Sequence, residues 1–311
     1  MKEYITIDGG TTNTRVSLTD GKSVRATVKI PIGARKSIDG SAELKAGLRE
    51  AIKKLLSDTK ICISDLDAII ASGMITSEFG LINLPHLTAP VGLEELHGGI
   101  FAEEIPEVVS LPIHFIRGVK TVGTLASTDM MRGEETELIG ILDSSYGECV
   151  YVLPGSHSKL IYTDGDGRIT HFSTTLTGEM LAALSEGTIL RDAVSLSVEK
   201  LDTDSLESGF LYAKEHGINE ALFKTRILKN LFGKDESACY SFFLGAVLSD
   251  EILSIVASAA STAVIGGKRQ LKEATAHLLS KFSDKKTVIL SDEVVESSTA
   301  LGAVKIFEYV I

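Results

Sequence analysis

The run Asp8-Gly9-Gly10-Thr11-Thr12-Asn13-Thr14-Arg15 gathers residues suited to gripping an anion. Glycines let backbone N–H groups approach a phosphate closely, and threonine hydroxyls add donors. Gly10, Thr11, Thr12 and Asn13 are the candidate phosphate contacts. An acid beside a polyphosphate is unfavourable unless a cation lies between, so Asp8 reads as a partner of Mg²⁺, directly or through water. The competing reading is a plain hairpin turn with a hydrogen-bonding Asp. A second run of similar character is Gly155-Ser156-His157-Ser158-Lys159. It offers backbone N–H groups, hydroxyls and a cation, with Lys159 or His157 placed to neutralise a transferring phosphoryl group. Its competing reading is a hairpin turn with a solvated lysine.

Other phosphate designs fail. Gly21-Lys22-Ser23 looks like the end of a P-loop, but the leading glycine would fall at Val16. No GxGxxG follows a strand, which leaves a Rossmann dinucleotide site without support. Asp164-Gly165-Asp166-Gly167 lacks the remaining ligands of a calcium loop and reads as a β-turn. The net charge of −11, with no Lys/Arg-rich run, argues against nucleic acid as a partner. The beginning of the chain has no signal-peptide pattern, and no apolar run reaches the ~18 residues of a spanning helix, so no membrane partner is expected. Cys62, Cys149 and Cys239 are too isolated for a CxxC pair and read as buried thiols in a reducing cytoplasm.

With 311 residues, 44% of them hydrophobic, the chain supports two ordinary domains or one large one. Tyr4 to Ile7, Thr14 to Thr19 and Val24 to Ile30 read as an antiparallel meander, Ala42 to Leu56 as an amphipathic helix and Leu66 to Ser72 as a buried parallel strand. Met130 to Ile139 reads as a helix with Glu134, Glu135 and Glu137 on its polar side. A second meander is expected over Cys149 to Leu153, Leu160 to Thr163 and Ile169 to Ser173. A helix starting at Thr177 follows, then mostly helix from Asp202 to about Ala260. Thr262 to Ile265 and Thr287 to Leu290 read as buried strands, with helices at Leu271 to Phe282 and Ser298 to Tyr309. Meander, helix and strand thus occur twice, which predicts two α/β lobes with a cleft between them. The boundaries expected are 1–125 with 298–311 for the first lobe and 126–297 for the second.

The first turn resembles the opening phosphate motif of the sugar kinase/actin/heat-shock ATPase superfamily. More narrowly, the chain resembles the 2-dehydro-3-deoxygalactonokinase family. That likeness rests on Gly73-Met74-Ile75-Thr76-Ser77, Met131-Arg132-Gly133-Glu134-Glu135-Thr136, Pro154-Gly155-Ser156-His157-Ser158-Lys159, Phe172 to Glu179, and Leu222-Phe223-Lys224-Thr225-Arg226. These blocks keep the family's order over nearly the whole chain. Two places depart from its pattern: Gly9 stands where an aromatic is usual, and Ser77-Glu78-Phe79-Gly80-Leu81 where Ser-Arg-Gln-Gly-Trp is usual.

The resemblance implies a two-lobed, actin-like (ribonuclease H-like) α/β fold. It also implies a cytoplasmic kinase that moves the γ-phosphate of ATP, with Mg²⁺, to the terminal hydroxyl of 2-dehydro-3-deoxy-D-galactonate in galactonate catabolism. In the superfamily an Asp at the start of the linking helix commonly acts as base, which points to Asp129; a plain helix N-cap is the alternative. Arg132 is expected to pair with the substrate carboxylate or a phosphate, or to form a structural ion pair with a neighbouring Glu. Gly73, Met74, Thr76 and Ser77 are the expected substrate contacts, and the Gly266-Gly267 turn the expected adenosine contact. Ser298 to Ala303 suits close packing at an interlobe hinge. The rivals are a kinase of the same superfamily acting on another sugar or sugar acid, and a nucleotide switch or filament subunit. A homodimer stays open.

Overall fold

The computed structural model describes residues 2–34 and 41–310. Met1 and Ile311, which the expected first lobe included, lie outside the described residues. The chain opens with β1 (Tyr4–Gly9), β2 (Thr14–Thr19) and β3 (Val24–Ile30), paired antiparallel in succession as the sequence predicts. Half-buried and exposed residues alternate along β3, the signature of a strand with one face to solvent. Helix α1 (Ala42–Thr59) buries Leu44, Leu48, Ile52 and Leu55, one stripe at helical spacing. β4 (Ala68–Gly73) is buried along its whole length because it lies parallel to β1. After it come β5 (Leu87–Thr88), α2 (Leu93–Gly98), β6 (Phe101–Glu103), β7 (Ile113–Phe115), β8 (Val119–Thr121), β9 (Asp129–Met131) and α3 (Glu134–Ile141).

The chain continues through β10 (Cys149–Leu153), β11 (Ser158–Thr163), β12 (Ile169–Thr175), α4 (Thr177–Gly187), α5 (Thr203–His216), α6 (Ile218–Asn230), α7 (Glu236–Val247) and α8 (Ser249–Ala257). It closes with β13 (Thr262–Ile265), α9 (Arg269–Phe282), β14 (Lys286–Ile289) and α10 (Asp292–Phe307). A six-stranded sheet has the order β3-β2-β1-β4-β7-β6, a five-stranded sheet β12-β11-β10-β13-β14, and a three-stranded sheet β5-β8-β9. Among the described residues no single helix is long and apolar enough to cross a membrane.

Two compact units result. The first is Met1–Ser144 with Gly167–His171 and Glu293–Ile311; the second is Ser145–Asp166 with Phe172–Asp292. In the first unit Ile5, Ile7, Val16 and Leu18 meet Leu48, Ile52 and Ile69 in one core. In the second, Val150, Val152 and Ile265 pack with Phe210, Phe243 and Leu278. The boundary expected at residue 125 falls instead after Ser144. The cause is local: β9 pairs with β8, and the close packing expected of Ser298 to Ala303 is made with α3, inside the first unit. A Cβ on Gly140 would lie 1.9 Å from the Ser298 carbonyl oxygen, so these helices touch backbone to backbone.

Four further expectations change. The helix expected from Met130 begins at Glu134, because Asp129–Met131 is drawn into β9 and Gly133, at φ 107°, breaks the chain direction. The glutamates of α3 do not form a solvated face: Glu135 is fully buried and Glu137 half-buried. β14 is an edge strand with Lys286 and Ile289 exposed, and Cys62 is an exposed thiol while Cys149 and Cys239 are buried and free.

Candidate active site

In the first unit, the Asp8–Thr14 turn caps β1 and β2 and is pinned from two sides. Gly10 N–H donates to the Asn13 carbonyl (2.9 Å), and Ala34 N–H donates to the Gly10 carbonyl (3.1 Å). Opposite, β4 delivers Gly73 in register with Gly9. Gly73 has φ 83°, and a Cβ there would sit 2.5 Å from the Gly9 carbonyl oxygen, so only glycine permits this approach. The turn's tip, Thr11 to Asn13, stays exposed, with Asn13 Nδ2 donating to Thr12 Oγ1 (3.1 Å). Its hydroxyls are therefore open to a ligand.

The underside of the turn is acidic. Burial pushes the Asp8 carboxyl up from its ordinary value, and Arg15, its partner across the hairpin at 3.7 Å, opposes this. Burial also raises Glu137 to about 8, helped by the charges of Glu134 and Asp8 and opposed by Arg15. Glu135 reaches about 8 through burial and Glu134, although both of its carboxyl oxygens accept from Gly133 N–H at 2.9 Å. A cavity of about 20 Å³ lies beside Asp8, Arg15, Ser17, Ser72, Glu296 and Thr299, the room one water needs. Among the described residues, no group of three or more His, Cys, Asp or Glu side chains is set to hold a metal by itself. A cation here would need phosphate oxygens or water as further ligands.

The expected substrate loop and the expected catalytic residues belong to this unit too. Met74 is half-buried, whereas Thr76 and Ser77 are buried and bond inward, to the carbonyls of Gly73 (3.0 Å) and Met74 (2.7 Å). Arg132 stands just before α3. Its Nη1 donates to Thr76 O (2.8 Å) and Thr76 Oγ1 (2.9 Å), and its Nη2 donates to Leu84 O (2.8 Å). The guanidinium thus holds the loop in place, and each such charged hydrogen bond is worth about 1.5–3 kcal/mol. Asp129 does not cap a helix. It sits in β9, where its N–H donates to Thr121 Oγ1 (2.9 Å) and its Oδ1 accepts from Met130 N–H (2.7 Å).

In the second unit, the Gly155–Lys159 turn joins β10 to β11. Ser156 and His157 are exposed, and His157 Nε2 lies 3.3 Å from Glu179 Oε1. Lys159 is buried and donates to Thr174 Oγ1 (2.6 Å), so the solvent-facing side chain of the pair is His157. Glu179 N–H donates to the Ser156 carbonyl (3.1 Å), which sets the start of α4 against the turn. Gly266 N–H donates to the Val152 carbonyl (2.9 Å). Gly267, at φ 79°, would place a Cβ 2.6 Å from the Pro154 carbonyl oxygen. The expected adenosine turn and the expected phosphate turn are therefore one assembly. Sequence reasoning missed Glu251, a buried residue of α8 whose Oε1 accepts from both Thr175 and Thr177 hydroxyls. It also missed the buried acids of α3, whose only signal was Arg-Gly-Glu-Glu-Thr.

Paired hairpin-plus-parallel-strand sheets, each ending in a glycine-clamped turn, define the α/β fold of the actin-like, ribonuclease H-like ATPases. Solved structures agree. A Sinorhizobium meliloti protein provisionally named a 2-dehydro-3-deoxygalactonokinase has a TM-score of 0.78 at 24% identity, covering 98% of this chain and 100% of that one. The (R)-2-hydroxyglutaryl-CoA dehydratase component A of Acidaminococcus fermentans has a TM-score of 0.52 at 13% identity, covering 98% and 97%.

The chain belongs to the 2-keto-3-deoxy-galactonokinase family, whose model matches residues 8–300. A curated Rhizobium meliloti relative, DgoK1, provisionally named for 2-dehydro-3-deoxygalactonokinase activity, is 33% identical over 133 residues. That match covers 41% of this chain and 40% of the relative's length.

Proposed function

We propose that this chain is an ATP-dependent kinase that phosphorylates the terminal hydroxyl of 2-dehydro-3-deoxy-D-galactonate. The observation that carries the reading is the family match over residues 8–300, which spans both turns, the substrate loop and Asp129. Three free cysteines suit a reducing cytoplasm, and a small sugar acid is the partner.

Phosphoryl transfer needs positioning and charge stabilisation more than covalent help from protein. Thr11, Thr12 and Asn13, with backbone N–H groups near Gly10, hold one set of phosphate oxygens. Gly155, Ser156 and His157 hold another, and Lys159 adds positive charge beneath that turn. The Gly266-Gly267 turn takes the adenosine. Asp8 and Glu137 fit a cation's neighbourhood, because burial raises both carboxyls and a divalent ion beside them would favour their charged forms. Asp8 would hold Mg²⁺, directly or through water, and the bound ion would neutralise charge on the phosphates. Asp129 accepts the proton of the attacking hydroxyl. Gly73 and Met74 line the acceptor, while Arg132, Thr76 and Ser77 act by fixing the loop.

A coupled ADP-release assay on a panel of 2-keto-3-deoxy sugar acids tests this. ADP release that depends on the galactonate-derived acid supports the reading; ATP consumption indifferent to every acid would sink it. Asp129→Asn should lower turnover by about 10²–10⁴-fold while sparing ATP binding.

A further inference from the structure

The three-stranded sheet collects basic side chains that no motif announced. Leu87 pairs with Val119, and Val119 with Met131. One step along, His86, Gly118 and Arg132 share a row. A Cβ on Gly118 would lie 2.6 Å from Arg132 Cγ and 2.9 Å from His86 Cδ2, so the bare glycine lets these two side chains converge. Lys120, two residues after Gly118 on the same strand, belongs to the same face by the two-residue period. Gly118 and Lys120 also receive β5 through their carbonyls: Leu87 N–H donates to Gly118 O (2.9 Å) and Ala89 N–H to Lys120 O (2.9 Å).

Both His86 and Lys120 are half-buried, and among the described residues neither side chain has a hydrogen-bond or ion-pair partner. Burial, then Arg132, then Lys120, push His86 down to about 4, and no acid is among the charges acting on it. The Arg132 guanidinium is bonded to carbonyls and a hydroxyl, while the Glu134 carboxylate accepts from its backbone N–H (3.1 Å). Arg132 and Lys120 gather positive charge beside His86 in a half-buried place, Glu135 offsetting only part of it at Arg132, and an anion there relieves the repulsion. The place adjoins the substrate loop, because Arg132 reaches Thr76 and Leu84 from this row.

We propose that His86 and Lys120, on the β5–β8–β9 sheet beside Arg132, form the subsite that binds the carboxylate of the sugar acid. This rests on the kinase reading above for the identity of the ligand. Lys120 supplies a flexible point charge and His86 an N–H donor. The direct ligand is thereby moved from Arg132, whose two amino groups are already engaged, to its unpaired neighbours.

The test reads binding and turnover separately, on the full chain. Histidine-labelled protein is titrated by NMR in the presence of 2-dehydro-3-deoxy-D-galactonate and, in parallel, of its carboxamide. The acid should raise the His86 midpoint by about one pH unit or more, and the uncharged amide should not. Lys120→Met should raise KM for the acid by about 10-fold or more with a smaller effect on kcat, and Lys120→Arg should restore part of the loss. Equal His86 shifts with acid and amide, or an unchanged KM in Lys120→Met, would overturn the subsite. ADP release without a His86 shift overturns the subsite and leaves the kinase standing. A His86 shift without ADP release does the reverse. The wild-type titration needs no variant, so a misfolded Lys120→Met protein does not shield the proposal.

Discussion

The two glycine-clamped turns are built on one plan and differ at one telling position. β1 pairs antiparallel with β2 and parallel with β4; β10 pairs antiparallel with β11 and parallel with β13. Superposing Gly10 on Gly155 sets Arg15 beside Lys159, since Asp8 faces Arg15 and Leu153 faces Lys159. The same alignment sets Gly73 beside Gly267, with φ 83° against 79° and a hypothetical Cβ 2.5 Å against 2.6 Å from the facing carbonyl. The clamp and the basic residue recur. The acid does not: where the first turn has Asp8, the second has Leu153. A glycine clamp suffices to present N–H groups to phosphates, so under the proposed function the acid is what would set the first turn apart for a cation and the reacting phosphate.

The strongest way to break this comparison is to make the first turn like the second. Asp8→Leu should cut turnover by about 10²–10³-fold, the scale of a lost electrostatic contact to the transition state, while nucleotide binding by equilibrium dialysis falls far less. Equal losses in both would make Asp8 a folding residue. Next come the clamps. Gly73→Ala and Gly267→Ala each force a methyl against a carbonyl at positive φ and should each cost about 1–3 kcal/mol in denaturant unfolding. A tolerated alanine at either position would end the structural equivalence.

The smallest effect concerns pH. Glu135 and Glu137 have folded values raised to about 8, so their contribution to stability is full below the unfolded carboxylate range and is lost as pH rises through about 8. Thermal midpoints at pH 5.5 and 8.5 should show Glu137→Gln losing less than wild type on going alkaline, by about 2–4 °C. An identical drop in both proteins would remove Glu137 from the acidic underside.

Most of the scaffold was legible where one physical signal dominated. Turn chemistry and alternation predicted β2, β3, β10 and β13 at their observed ends. The β5–β8–β9 sheet was not legible, because strands of two or three residues are fixed by long-range pairing and leave no period to read. That one omission moved Asp129 from a helix cap to a strand and hid His86 and Lys120. The glutamates of α3 were misread for a different reason. Three acids in the first turn of a helix normally mark a solvated N-terminus, yet here the helix is buried against α10 through Gly140. Glu251 carried no signal at all, being one acid in a long helical stretch.

Under the proposed function, ATP's γ-phosphate moves to the sugar acid. Phosphorus NMR on wild-type enzyme with Mg²⁺, ATP and 2-dehydro-3-deoxy-D-galactonate tests it most directly. ADP and a new phosphomonoester resonance should appear in equal amounts, both absent without the acid. ADP accompanied only by inorganic phosphate, or an unchanged ATP spectrum, would contradict it.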